Sequence, residues 1–437
     1  MLKLAWKNTI DNPLNLLIGL ILFALGIGLI SYLLLLNTQL KEKFESNLAG
    51  IDLVIGAKGS PLQLILCNMY HIDNPTGNIN IEEAKPFLNP RHPLIKLAVP
   101  LSLGDNYKGY RIAGTSYDIL DLYKTKISHG RLYKKDLEVT IGRQVADATG
   151  LTLGSTFTSS HGMMEDDDLA HEHATLRVVG ILEPAGNVID QLILTNTSTV
   201  WAVHDHEDHD HEDEEHNHED HDHAGHGHEH HDHHSQEEKE DNIDNSTAGL
   251  INYPDKQITS ILIQYKSKSN FQSLSLPRNI NENTNMQAAS PAYEINKLRD
   301  MIGIGTEGIR VIAFLIAFVS AISIFISLFR SMKERKYELA LMRVMGGSRS
   351  KLFALVIMEG LILTIIGWIL GTILAHIGIE ITGRYLMQDF RYAFSGFRFL
   401  TAEWLILAVS LGIGFIASII PAWQASRTDI NQTLAKG

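Results

Sequence analysis

The amino-acid sequence predicts an α-helical membrane protein with four transmembrane helices and one large α+β domain inserted between the first two. Three observations carry this. Apolar runs long enough to cross a bilayer lie at residues 14–36, 309–329, 352–381 and 404–420. Residues 37–308 alternate short β-like runs with turn residues. The connection at 330–351 concentrates basic side chains, as short loops kept on the cytoplasmic side do.

The first run, Leu14 to Leu36, holds 23 residues without a charge, roughly 34 Å as a helix at ~1.5 Å per residue. A secretory signal has an apolar region of only about 7–15 residues. No small-x-small cleavage site follows Leu36, so the run reads as a retained anchor. Lys3 and Lys7 in the segment 1–13 place the N-terminus in the cytoplasm. Alternation then puts 37–308 outside, 330–351 inside, 382–403 outside and the tail 421–437, with Arg427 and Lys436, inside. Arg384, Arg391 and Arg398 in the second outer loop oppose this order. They are outweighed by Arg330, Lys333, Arg335, Lys336, Arg343, Arg349 and Lys351, which face only Glu334 and Glu338.

Within the external domain, β-like runs fall at Ile51 to Ile55, Ile95 to Leu103, Leu176 to Leu182, Ile189 to Leu194 and Ile258 to Tyr265. Ser60 and Pro61 read as the cap and first residue of a helix through Leu62 to Asn68, and Gly142 introduces a helix through Val145 to Thr149. Pro291 to Met301 is expected to be helical and to feed the second span. The single cysteine, Cys67, cannot form an intrachain disulfide and is expected to be a buried thiol rather than a reactive one.

The chain is 45% hydrophobic with a net charge of −13. Residues 204–241 hold 17 acids and one lysine, so the rest of the chain carries +3. The acidity is local, and nothing points to nucleic acid. From His204 to His234 there are 14 histidines and 13 acids, with only Asn217, Ala224, Gly225 and Gly227 besides. Such a stretch cannot form a core, and the insertion 204–241 is predicted to be disordered. Neutral imidazole beside carboxylate suits zinc, with copper or nickel as alternatives. The candidate ligands are His204, His206, His209, His211, His216, His218, His221, His223, His226, His228, His230, His231, His233 and His234. The competing reading is a charged spacer, which has no need of histidine. A second cluster, His161, His171 and His173 with Glu165, Asp166, Asp167 and Asp168, reads equally as a further metal site or an acidic surface loop.

Catalytic motifs are lacking. His226 to His230 spells H-x-x-E-H, but such matches arise by chance in a tract this rich in His and Glu, and the flanking glycines disfavour the helix that a zinc protease needs. There is no G-x-x-x-x-G-K-[ST] loop, so the chain is not expected to bind ATP in that way or to act as an enzyme.

In the 330–351 loop, Tyr337, Leu341 and Val344 recur at helical spacing and predict a short amphipathic helix, stopped by Gly346 and Gly347. Ser348 is placed to cap the next one. Glu359 and His376 are intramembrane polar residues. For Glu359 a structural pair with a basic residue at the cytoplasmic edge comes first, then transmission of motion, then a proton relay. For His376 a hydrogen-bonded packing role near the outer end is favoured over transport. Glycines 360, 367, 371 and 378 permit close helix packing rather than a pore.

Three stretches together resemble the FtsX-like (MacB-type) ABC transporter permease family: LAWKNTIDNP before the first span, MKERKYELALMRVMGGSRSKLFALVIMEG, and the closing PAWQASRTDINQTL with Pro421, Ala422 and Ala425. TIGRQVADATGLTLGS and LRVVGILEPAGNVID are similar to its external domain. The resemblance implies a multi-pass protein of the bacterial inner membrane with a large periplasmic α+β domain between helices one and two. It also implies a second permease copy, as a homodimer, and a cytoplasmic ABC ATPase. With no phosphate loop here, that ATPase must be a separate subunit, so ATP acts only through a partner. In such transporters ATP-driven motion is transmitted to the periplasmic domain. The residues implied to receive it are Lys333, Glu334, Arg335, Lys336, Glu338, Arg343 and Arg349. The histidine tract departs from the family pattern and directs the expectation toward zinc or divalent-metal homeostasis, with a periplasmic metal-binding protein as a further partner. The alternatives are a permease exporting lipoprotein, lipid, drug or peptide with an outer-membrane partner, or a regulator of a periplasmic enzyme, the tract being only a metal buffer.

Overall fold

The computed structural model describes residues 13–160, 170–203, 244, 246–389 and 394–427. The tract from His204 to His234, together with His161, lies outside the described residues; of His171 and His173 only the backbone, in a strand, is described. The chain divides into a helical unit, Met1–Glu42 with Arg299–Gly437, and a sheet domain, Lys43–Leu298.

Helix α1 spans Pro13–Leu48, twelve residues past the apolar run that ends at Leu36. Charge ends the run but not the helix, because Gln, Lys and Glu are good helix formers and the left-handed pair Ala49 and Gly50 comes only later. The domain then follows as β1 (Leu53–Ala57), α2 (Pro61–Tyr70), β2 (Ile79–Asn80), α3 (Ile81–Leu88), β3 (Ile95–Tyr107), β4 (Tyr110–Thr115), α4 (Asp118–Tyr123), β5 (Ile127–Gly130), β6 (Glu138–Ile141), α5 (Arg143–Thr149), β7 (Thr156–Ser160) and β8 (Ala170–Leu182). After β9 (Ile193–Thr195) and a helical turn at 197–203 come β10 (Gln257–Ile258), β11 (Ser260–Tyr265), α6 (Phe271–Asn283) and β12 (Met286–Ala289). The expected caps are present: Ser60 Oγ accepts from the Gln63 N–H at 3.4 Å, and Gly142 is the N-cap of α5.

One long sheet runs in the order β12-β1-β11-β3-β4-β9-β6-β8-β5, with β7 pairing β3 and β8. Its pairings are antiparallel except β4 with β9 and β6 with β8. Two clusters fill it. One gathers Leu53, Ile55, Ile81, Leu88, Ile261 and Ile263 beside α3 and α6; the other gathers Val139, Ile141, Val145, Leu176 and Val178 beside α5.

Two β-like runs are corrected. Ile189 to Leu194 begins as a 3-10 turn, Val188–Gln191, because Asp190 accepts the N–H groups of Ala185 and Gly186 at 2.8 and 2.7 Å and the Asn187 side chain accepts that of Ile189; local side-chain acceptors outcompete the ladder there. Ile258 to Tyr265 is two strands parted at Thr259, whose hydroxyl accepts from the Leu103 N–H at 2.9 Å.

The last four helices are α7 (Pro291–Glu334), α8 (Lys336–Val344), α9 (Arg349–Asp389) and α10 (Ala402–Ser426). The expected helix at Pro291 to Met301 is the first part of α7 rather than a separate element. Gly19–Leu48, Glu307–Glu334, Arg349–Tyr385 and Ala402–Ser426 are long and apolar enough to cross a membrane. The glycines do what their spacing predicts. A Cβ on Gly371 would lie 2.6 Å from the Ala24 carbonyl of α1, and one on Gly360 would overlap Ser418 of α10.

Candidate functional site

The loop between α7 and α9 is built around Arg335. This residue leaves helical geometry at φ −104°, ψ 19°, which separates α7 from α8. Its guanidinium reaches Glu338 Oε2 at 2.9 Å and Glu359 Oε1 of α9 at 3.6 Å. Arg335 and Glu359 are both largely buried, their side chains 16% and 11% exposed. The expectation that Glu359 pairs with a basic residue at the membrane edge therefore has a specific partner, and the pair ties the start of α8 to α9.

Packing completes the attachment. Leu339 and Ala340 of α8 are buried, and Leu339 joins Met332, Leu352, Val356, Ala422 and Ala425 in one cluster. Ala422 and Ala425 are fully covered, so the small residues of the closing motif leave room for this contact. Gly346, at φ +93°, ends α8. The Gly347 N–H donates to the Met342 carbonyl at 2.9 Å, and Ser348 Oγ accepts from the Lys351 N–H.

The helix spacing of Tyr337, Leu341 and Val344 marks the face that does not pack. These three are 52%, 43% and 58% exposed. Lys333, Glu334, Lys336, Glu338 and Arg349 are exposed around them, whereas Arg343 is half-buried. Glu334 pairs with Arg330 at 3.1 Å, and Lys333 lies over the Phe329 ring. The coupling candidates thus divide: Arg335 faces inward, Arg343 is half-buried, and the exposed ones surround an apolar face.

At the other end of the helical unit, His376 Nε2 lies 3.0 Å from Glu403 Oε2 and its ring stacks on Phe399. Its Nδ1 bonds the Gly396 carbonyl. A carbonyl only accepts, so Nδ1 carries a proton and Nε2 shares one with the carboxyl group. Glu403 is fully buried and also accepts from the Leu400 N–H at 2.9 Å. Sequence reasoning missed Glu403, which sits one residue before the apolar run at 404–420; a histidine inside a span is itself the signal that an acid should be sought nearby. The pair joins α9 to α10 at this end of the unit, and the Arg398–Glu42 bridge ties the loop before α10 to α1.

In the sheet domain Cys67 is buried as expected, and burial pushes its thiol up to about 11, which disfavours the reactive thiolate. His71 is held down to about 3 by burial and then by the Arg111 charge. No group of three or more metal-ligating side chains occurs among the described residues.

Residues 310–430 match the FtsX-like permease C-terminal family. No curated protein matches the chain. Among solved structures it is similar to the periplasmic region of MacB from Actinobacillus actinomycetemcomitans, at 13% identity over 59% of this chain and 98% of that one, with a TM-score of 0.32.

Proposed function

We propose, from a C-terminal region that matches the FtsX-like permease family over residues 310–430, that this chain is the membrane subunit of an ABC transporter whose ATPase is a separate cytoplasmic chain. The single observation that carries the reading is α8. An apolar face of Tyr337, Leu341 and Val344 is exposed in a loop between two membrane-length helices, while an inward arginine fixes the same helix to α9. A partner that pushes on the face moves α9, because the Arg335–Glu359 pair and the Leu339 cluster leave α8 little independent freedom. Motion so received is passed along the spans to the external domain, taken as periplasmic from the charge bias of the loops. A second copy of the chain completes the assembly in the bacterial inner membrane.

For cargo the reading is zinc or another divalent metal, captured or sensed by the tract from His204 to His234. Its support is the donor set, neutral imidazole alternating with carboxylate in many registers.

Two experiments test the two levels. Tyr337→Asp with Leu341→Asp should abolish copurification of the ATPase while the thermal unfolding of the permease stays unchanged, since both residues are exposed. An ATPase that still copurifies overturns the docking face. Deleting residues 204–234 should change growth under zinc limitation or excess, or the zinc response of ATP hydrolysis. If all three stay as in the full chain, the tract has no metal role and the export readings gain.

A further inference from the structure

A cleft of about 310 Å³ lies in the sheet domain, lined by Asn78, Ser102, Trp201, Asp255, Lys256 and Thr259 with apolar neighbours. It exists because of a glycine. Ser102 of β3 pairs with Gly114 of β4, so both present the same face of the sheet. A Cβ on Gly114 would lie 2.8 Å from Val200 Cγ2 and 3.0 Å from Thr197 Cα. Without one, the helical turn at 197–203 settles onto β4 and sets Val200 and Trp201 as one wall. The opposite wall is the break between β10 and β11, where Thr259 turns its hydroxyl to the Leu103 N–H and to Asn78 Oδ1.

The walls differ in chemistry. Leu103, Val200 and Ile258 give an apolar lining. The Trp201 ring is fixed by its Nε1–H donating to the Gln257 carbonyl at 2.7 Å and by a tilted contact with the Tyr253 ring at 54°, and Lys256 lies 5.9 Å over it. Exposed Asp255 adds a carboxylate one residue away. Against the sheet, Ser102 is 3% exposed and its hydroxyl has no hydrogen-bond partner. Buried polar groups are rarely left so, because an unmade hydrogen bond costs the full desolvation of the group.

The geometry points to a ligand site for a small zwitterion with an apolar body, as in a hydrophobic amino acid or the end of a peptide that carries one. The body lies against Trp201, Val200 and Ile258. The ligand's carboxylate meets Lys256, its ammonium meets Asp255, and an oxygen or N–H of its backbone supplies the missing partner of Ser102. A cleft of this size with a few convergent polar groups is at the small end of ligand sites, so the expected affinity is micromolar to millimolar. The inference is independent of the transport reading, since it rests only on the sheet domain.

The test uses the full chain in lipid nanodiscs, with L-phenylalanine, phenylalanylglycine and glycylphenylalanine as probes, read by saturation-transfer NMR and calorimetry. The free amino acid and the two dipeptides distinguish a free zwitterion from a peptide terminus. At least one probe should bind, and Ser102→Ala, Lys256→Gln and Asp255→Asn should each weaken it about tenfold. Ser102→Ala is the decisive variant. It removes a hydroxyl that has no partner in the free protein, so its unfolding temperature should hold or rise while affinity falls. Gly114→Ala, which pushes the 197–203 turn away, should abolish binding of the same probe. No binding by any probe at millimolar concentration, or binding that the Ser102 and Lys256 variants leave intact, overturns the inference.

Discussion

The two units of the chain differ in what they expose. Both units cover large apolar side chains completely, Tyr133, Leu53, Ile55 and Leu64 in the sheet domain and Phe23, Leu35 and Ile379 in the helical unit. In the helical unit Ser320, Thr364, Ser410, Ser418 and Glu403 are fully covered as well, while Phe314, Leu315, Phe318 and Val319 are more than half exposed. The buried hydroxyls of Thr364 and Ser418 donate to carbonyls of their own helices, those of Gly360 and Gly414, at 2.8 and 2.6 Å. The exposed apolar face of the helical unit follows from the solvent. Water drives apolar side chains inward, whereas hydrocarbon is indifferent to Leu and rewards close backbone approach through small residues.

The sharpest way to break this comparison is to delete the same side chain in both units. Leu53→Ala, in the core of the sheet domain, should cost about 2–5 kcal/mol. Leu315→Ala, on an exposed face of α7, should cost less than about 0.5 kcal/mol in a bilayer. Hydrogen exchange read separately over residues 43–298 and 299–427 measures both. Equal losses would mean that the α7 face is covered by protein rather than lipid. A smaller effect reverses the roles. Gly371→Ala places a Cβ 2.6 Å from the Ala24 carbonyl and should cost about 1–3 kcal/mol by overpacking. Gly412→Ala meets nothing within 4 Å and should be neutral or slightly stabilising, measured by thermal unfolding in nanodiscs. If both glycines tolerate alanine, the close α1–α9 approach is not what holds the unit.

How far each unit could be read in advance follows the same division. The four apolar helices are legible because hydropathy is local and contiguous. The ends are not: α1 continues to Leu48 on residues that are charged but helix-forming. In α8 the spacing of Tyr337, Leu341 and Val344 specifies a helix, yet periodicity cannot say which face packs, and Leu339 and Ala340 are the buried pair. Glu359 plainly needed a cation, but seven stand in the loop, and only the break at Arg335 selects one. In the sheet domain most β runs are visible, whereas the parallel pairings of β4 with β9 and β6 with β8 join segments far apart in sequence. The cleft is less legible still. It depends on the absence of one Cβ at Gly114 and on Thr259 interrupting a run that reads as a single strand.

The mildest test addresses the water-facing side of the sheet domain. Arg131 holds Glu138 through two hydrogen bonds at 2.7 and 2.5 Å, and the Lys134 and Lys135 N–H groups donate to the same carboxylate. The Arg131 bond first, then these backbone donors, lower the Glu138 carboxyl to about 2 from an ordinary 4.5, against the opposing effect of burial. A carboxylate depressed in the folded state binds fewer protons there than in the unfolded chain. Its contribution is therefore fully present above pH 4.5 and is lost as pH falls toward 2. Arg131 is half exposed, so water screens the pair and the loss should stay within about 0.2–1 kcal/mol. Glu138→Gln should flatten that part of the stability–pH curve of the sheet domain, followed by hydrogen exchange, and leave the curve above pH 5 parallel to that of the unaltered chain. An unchanged slope below pH 4.5 would assign the acid sensitivity to His71, whose own depressed value places its loss between about 6.5 and 3.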